Sequence, residues 1–102
     1  MYNLQTEVVN GQTGSGYIAQ SEPTSLAEIL TAVKRNAVKH MADGYQISVW
    51  RGVVIFFRYN GKVKDTISYA VVDDENNRLD MDWYPVMRYA YLHKPMVEGG
   101  VA

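Results

Sequence analysis

Cysteine is absent from the 102 residues, which excludes disulfides and thiolate metal ligands together and gives no pointer to an oxidising compartment. Histidine is scarce: His40 and His93 stand alone, without H-x-x-x-H or any other ligand spacing, and each reads as a surface or helix-end residue. Long hydrophobic runs are missing too, and none approaches the ~20 residues a membrane-spanning helix needs. The opening MYNLQTEVVNGQ has neither a basic stretch nor an apolar one, so no secretory signal is read there. These absences lead to the expectation of a cytoplasmic protein with no membrane partner.

Positive charge is missing from one region and concentrated in another. Residues 1–33 hold Glu7, Glu22 and Glu28 and no Lys or Arg. Residues 34–68 carry Lys34, Arg35, Lys39, Arg51, Arg58, Lys62 and Lys64 against Asp43 and Asp65, a net of +5. Residues 69–84 swing to −4, with Asp73, Asp74, Glu75, Asp80 and Asp82 against Arg78. The overall charge of −1 conceals this segregation. Solvated faces account for such blocks; a positive face meeting an anionic partner, or an acidic edge meeting a basic one, is the functional counterpart.

Catalytic and cofactor motifs are also lacking. The loop GQTGSG has neither a following Lys-Ser/Thr nor G-x-G-x-x-G spacing, and fails as a phosphate cradle. Asp73, Glu75 and Asn77 alternate like a calcium loop, but Tyr84 occupies the slot of the bidentate acid and no Gly stands at the sixth position. No serine sits on a nucleophile elbow, and no carboxylate pair takes an acid–base role. The expectation is a non-enzyme without cofactor or metal.

What is present is a fold. Two β-rich runs, YQISVWRGVVIFFRY and KVKDTISYAVV, flank Asn60-Gly61, a strong short-range hairpin signal because both residues tolerate positive φ. Ser25-x-x-Glu28 forms a capping box. Leu26, Ile29, Leu30, Val33, Ala37 and Met41 follow as one apolar helical stripe, and Gly44 sits where a helix closes. Lys34, Arg35, Lys39 and His40 suit the later turns of that helix through its dipole. Residues 2–9 and 17–20 read as strands, Arg51-Gly52 as a turn or bulge, and 73–78 as an acidic loop. Leu79, Met81 and Trp83 alternate with Asp80 and Asp82 as a half-buried strand would, and the run after Pro85 favours a short helix.

The expected fold class is α+β. One antiparallel sheet of about four to five strands carries the capped amphipathic helix on one face. Residues 1–96 form a single domain, with 97–102 as a flexible tail.

Strand 53–59 is apolar on both sides, as a strand covered on both faces would be. With one helix on one face, the second cover would come from the tyrosine-rich C-terminal segment or from a second copy, making a homodimer. The turn length leaves two registers open. A two-residue Asn60-Gly61 turn puts Val54 and Phe56 with Val63, Ile67 and Tyr69 against the helix. It leaves Ile55, Phe57 and Tyr59 beside Lys62 and Lys64 on the other face. A three-residue loop from Tyr59, with a bulge at Gly61, groups the strong hydrophobes of both strands together.

Two docking surfaces follow. Tyrosine is plentiful, with eight residues, and the cluster Trp83, Tyr84, Tyr89 and Tyr91 beside Asp80 and Asp82 reads as a hot-spot patch for a basic protein partner. The favoured function is therefore a non-catalytic small binding protein that docks on another macromolecule. In style it resembles accessory or inhibitor proteins of phages and other mobile elements, an analogy of composition alone. The alternative is single-stranded nucleic-acid binding through Arg51, Phe57, Tyr59, Lys62 and Lys64. RGVVIFFRY itself departs from the RNA-recognition strand pattern, with Val53 and Ile55 where stacking aromatics belong.

Overall fold

The computed structural model describes residues 1–93; the tail expected over 97–102 lies outside the described residues. The chain runs β1 (Asn3–Val9), β2 (Gly16–Gln20), α1 (Leu26–Ala42), β3 (Gln46–Trp50), β4 (Val53–Asn60), β5 (Val63–Val72) and α2 (Tyr84–His93). All five strands form one antiparallel sheet in the order β2-β1-β5-β4-β3. The protein is α+β, as the pattern of elements implies.

Alternation along the paired strands sorts the sheet into two faces. One carries Leu4, Ile47, Val49, Val54, Phe56, Ile67, Tyr69 and Val71, and it packs with Ile29, Val33 and Ala37 of α1 and Val86 and Ala90 of α2. Trp83, Phe56, Ile29 and Val33 are among the largest fully buried side chains there. Both helices thus sit on the same face and touch each other. The C-terminal helix extends the first cover and does not supply a second, so the apolar residues on the other side of β4 remain half-buried.

The β4–β5 turn is two residues long but displaced by one position. Asn60 pairs with Val63, Gly61 and Lys62 form the turn, and Gly61 alone takes positive φ, at 68°. A turn with its positive φ at the first central position suits Gly-X, which draws Asn60 into the strand. Because the shift adds Asn60 to β4 and takes Lys62 from β5, each partner moves by two positions and the faces are those of the two-residue case: Phe57 pairs with Thr66 and Phe56 with Ile67.

Helix α1 starts on half of a capping box. The Ser25 hydroxyl accepts from the Glu28 N–H at 3.2 Å, whereas the Glu28 carboxylate turns to the Thr24 hydroxyl. It ends as expected at Gly44. Gly44 N–H donates to Met41 carbonyl and Tyr45 N–H to His40 carbonyl, the crossed pair of a Schellman motif. Residues 79–83 are extended without being a strand; a single bridge, Val72 to Arg78, joins this return segment to β5. Their alternation is nevertheless real: Leu79 and Met81 are half-buried and Trp83 fully buried, with Asp80 and Asp82 exposed. Between Trp50 and Val53 the chain turns through Arg51-Gly52. Gly52 is required there, because its φ is 77° and a Cβ would stand 2.9 Å from the Leu79 carbonyl oxygen.

Candidate docking surfaces

The acidic-aromatic patch does not form as one surface. Trp83 has no exposed area and belongs to the core cluster that both helices and the sheet build. Asp80 accepts from Arg51 Nε at 2.8 Å, beside the β3–β4 turn. Asp82 receives the Tyr84 N–H at 3.0 Å at the start of α2, a helix-start role rather than a free anion. Tyr84 and Tyr91 are exposed on α2. Asp82, Tyr84 and Tyr89 do meet, but around Lys34 and Arg88, in a depression of about 310 Å³.

Part of the nucleic-acid set does assemble. Phe57, Tyr59 and Lys64 share the uncovered face: Tyr59 pairs with Lys64, the Phe57 and Tyr59 rings meet edge-on at 6.1 Å, and Lys64 Nζ lies 5.9 Å from the Phe57 ring centre. Lys62 stands in the adjacent turn. Arg51 is at the other end of β4 and paired with Asp80, so it does not join them.

That uncovered face is larger than the sequence suggested. Following the pairing outward adds Trp50 on β3 beside Val53, and Ile18 on β2 beside Glu7. Ile18 is 68% exposed, Trp50 63% and Tyr59 58%, and Val53, Ile55 and Phe57 run between them half-buried. On the central strand, between Lys64 and Val72, the same face offers the small side chains Thr66, Ser68 and Ala70. A trough of about 230 Å³ results, with Ile18 and Glu7 on one bank and Val53 and Ile55 on the other. Trp50 and Ile18 could have been found by carrying odd–even parity across every strand pair, but that needs the strand order, which no local signal supplies.

Chemistry is sparse elsewhere. His40 Nε2 and the Tyr69 hydroxyl are 2.7 Å apart. Burial lowers the His40 pKa, with Asp43 opposing and Lys39 reinforcing. Burial likewise pushes the Tyr69 phenol up to about 12. The acidic loop closes on itself: the Asp73 carboxylate accepts from the N–H groups of Glu75 and Asn77 at 2.9 and 2.8 Å. Among the described residues no group of His, Asp or Glu is placed to hold a metal ion, and no helix is long and apolar enough to cross a membrane.

No protein-family model, curated protein or solved structure matches the chain significantly.

Proposed function

We propose that this is a non-catalytic binding protein that docks the uncovered face of its sheet on another protein. The observation that carries this reading is one-sided burial: both helices cover one face, while the other holds Ile18, Trp50 and Tyr59 exposed around Val53, Ile55 and Phe57. Apolar side chains of this size each favour burial by about 1.5–3 kcal/mol when fully covered. The apolar stripe of Trp50, Val53, Ile55, Phe57 and Tyr59 is edged by Gln46, Ser48 and Lys64, with Gln5, Glu7 and Arg78 in the trough beside it, an apolar patch with a polar rim as protein interfaces have.

The test is capture from host lysate on purified protein, with and without nuclease and at two salt concentrations, repeated with Ile18→Lys and Ile55→Lys. A stoichiometric, nuclease-resistant protein lost in both variants supports the reading. Capture unchanged by both variants sinks it. A second copy as occupant would appear as a dimer in sedimentation that the same variants dissolve.

One corner favours a second reading. Lys64 poised over Phe57, with Tyr59 beside it, is an arrangement that can hold a phosphate next to a stacked base. Single-stranded nucleic-acid binding through it would fall steeply with salt, because each neutralised phosphate releases counterions.

A further inference from the structure

The outer surface of the helix layer carries a different feature. Helices α1 and α2 pack side by side, and a groove of about 480 Å³ runs between them, with Lys34, Arg35, Val38 and Lys39 on one wall and Tyr89 and His93 on the other. Among the described residues no acidic side chain lines it. Arg88 continues the basic surface around Lys34 and Tyr89 into the neighbouring depression, where Asp82 is the one acid. This concentration arises in a chain with more acidic than basic residues, 11 against 10.

The helix dipole, expected from the sequence to favour the bases of α1, accounts for Lys39 but not for Lys34 and Arg35. Its influence falls off within the terminal turn, and the last turn of α1 holds Lys39 and His40 only. Lys34 and Arg35 stand mid-helix. Arg35 and Lys39, four apart, are like charges on neighbouring turns, an arrangement that disfavours a helix. Nor are they neutralised by an ion pair among the described residues. The ion pairs among the described residues join the N-terminus to Asp74, Arg51 to Asp80 and Arg58 to Asp65, and none includes Lys34, Arg35, Lys39 or Arg88. Repulsion between Arg35 and Lys39 is thus not offset by an ion pair among the described residues.

The aromatic side of the groove is already engaged. Tyr89 stacks on His93 with ring centres 4.0 Å apart and planes at 18°, and Lys34 Nζ lies 5.5 Å from the Tyr89 ring centre. Tyr89 therefore stiffens the wall and positions a cation; it does not stand clear as a platform for a base. Recognition here is by charge along a line with an apolar floor at Val38. From Thr31 to Lys39 α1 rises about 12 Å, the length of roughly four extended residues.

We infer that the groove between α1 and α2 binds an acidic segment of a partner protein, its carboxylates meeting Lys34, Arg35, Lys39 and Arg88. The surface lies on the helix layer, away from the uncovered sheet face, so this inference stands independently of the docking reading above.

The experiment is fluorescence anisotropy of the purified protein with a labelled ten-residue Glu/Asp peptide containing two leucines. Its Gln/Asn counterpart and an oligo-dT of equal length serve as comparison probes. The double variant Lys34→Glu, Arg35→Glu is expected to weaken the acidic peptide at least ~10-fold; so is the milder Arg88→Gln paired with Lys39→Gln. Lys62→Glu with Lys64→Glu, on the other side of the molecule, is expected to leave it unchanged. Thermal unfolding of each variant verifies that the fold is retained, and the milder pair decides the matter should the charge reversal unfold. No binding of the acidic peptide overturns the inference, as does weakening by the distant Lys62 and Lys64 pair equal to that by Lys34 and Arg35. Tighter binding of oligo-dT through the same four residues overturns it in favour of nucleic acid.

Discussion

The imidazole of His40 and the phenol of Tyr69, 2.7 Å apart, tie the last turn of α1 to the central strand of the sheet. Around them lie Tyr45 and Phe56, with ring centres 5.8 and 5.0 Å from His40. Burial favours the neutral form of both partners.

A pH dependence follows with a definite sign. Because the His40 pKa is lower in the folded state than its ordinary value near 6.5, the unfolded chain binds the extra proton first as pH falls. The contribution of neutral His40 is complete above about pH 6.5 and is lost as pH drops toward the folded-state pKa. The urea midpoint of wild type is expected to fall between pH 7.5 and 5, and His40→Gln to flatten that part of the profile. A profile of equal slope in the variant would assign the effect to other groups.

Trp83 separates volume from polarity. Its Nε1–H is buried and has no hydrogen-bond partner among the described residues. Trp83→Ala is expected to cost about 3–5 kcal/mol, the usual range for an aromatic removed from a core. Trp83→Phe sheds the unpartnered donor, a gain of about 1–3 kcal/mol that offsets its smaller cavity. Urea unfolding should therefore place Trp83→Phe much closer to wild type than to Trp83→Ala. Equal losses would show that the indole N–H is satisfied after all.

Gly52 and Gly14 share positive φ, 77° and 70°, but only Gly52 is also crowded by the Leu79 carbonyl; nothing lies within 4 Å of a Cβ at Gly14. Gly52→Ala is expected to destabilise by about 1–3 kcal/mol from strain plus displacement of the 79–83 segment. Gly14→Ala should show the strain alone. Melting temperatures of the two variants, compared in one buffer, test the difference.

The exposed pair Arg51–Asp80 should be nearly silent. Side-chain exposures of 88% and 58% leave it screened by solvent, and such bridges contribute about 0–1 kcal/mol. Arg51→Ala is expected to shift the urea midpoint by no more than measurement scatter, while Ile18→Lys, at a site that is also exposed, should be silent for folding but lower dye binding to apolar surface. A marked loss of stability in Arg51→Ala would mean that the guanidinium holds the return segment in place.

Legibility in the sequence followed the range of the signal. The α1 stripe, its Ser25 start and its Gly44 stop are encoded within a few residues of where they act, and the structure reproduces them apart from the hand Glu28 gives to Thr24. Parity across the β4–β5 hairpin stayed open in the sequence, because Asn-Gly turn chemistry and the segregation of hydrophobes point to opposite registers; the two-residue turn at Gly61-Lys62 gives Phe57 and Tyr59 the face of the first. Trp83 shows two local signals in conflict. Alternation with Leu79 and Met81 pointed inward, neighbouring Asp80 and Asp82 pointed outward, and core volume decided. The meeting of Lys34 with Tyr89 needs the docking of α2 on α1, which neither helix announces on its own.

The strand order has a consequence for how copies of the chain meet while folding. β3, β4 and β5 are joined by two-residue turns and can assemble from neighbouring residues. β1, however, must find β5 across an intervening β2, α1, β3 and β4, a loop closure that contributes slowly and late. Until then the central strand is an edge. A hairpin β1–β2 donated by another molecule would make the same hydrogen bonds there, so concentrated refolding is expected to yield exchanged dimers, and dilute refolding monomers.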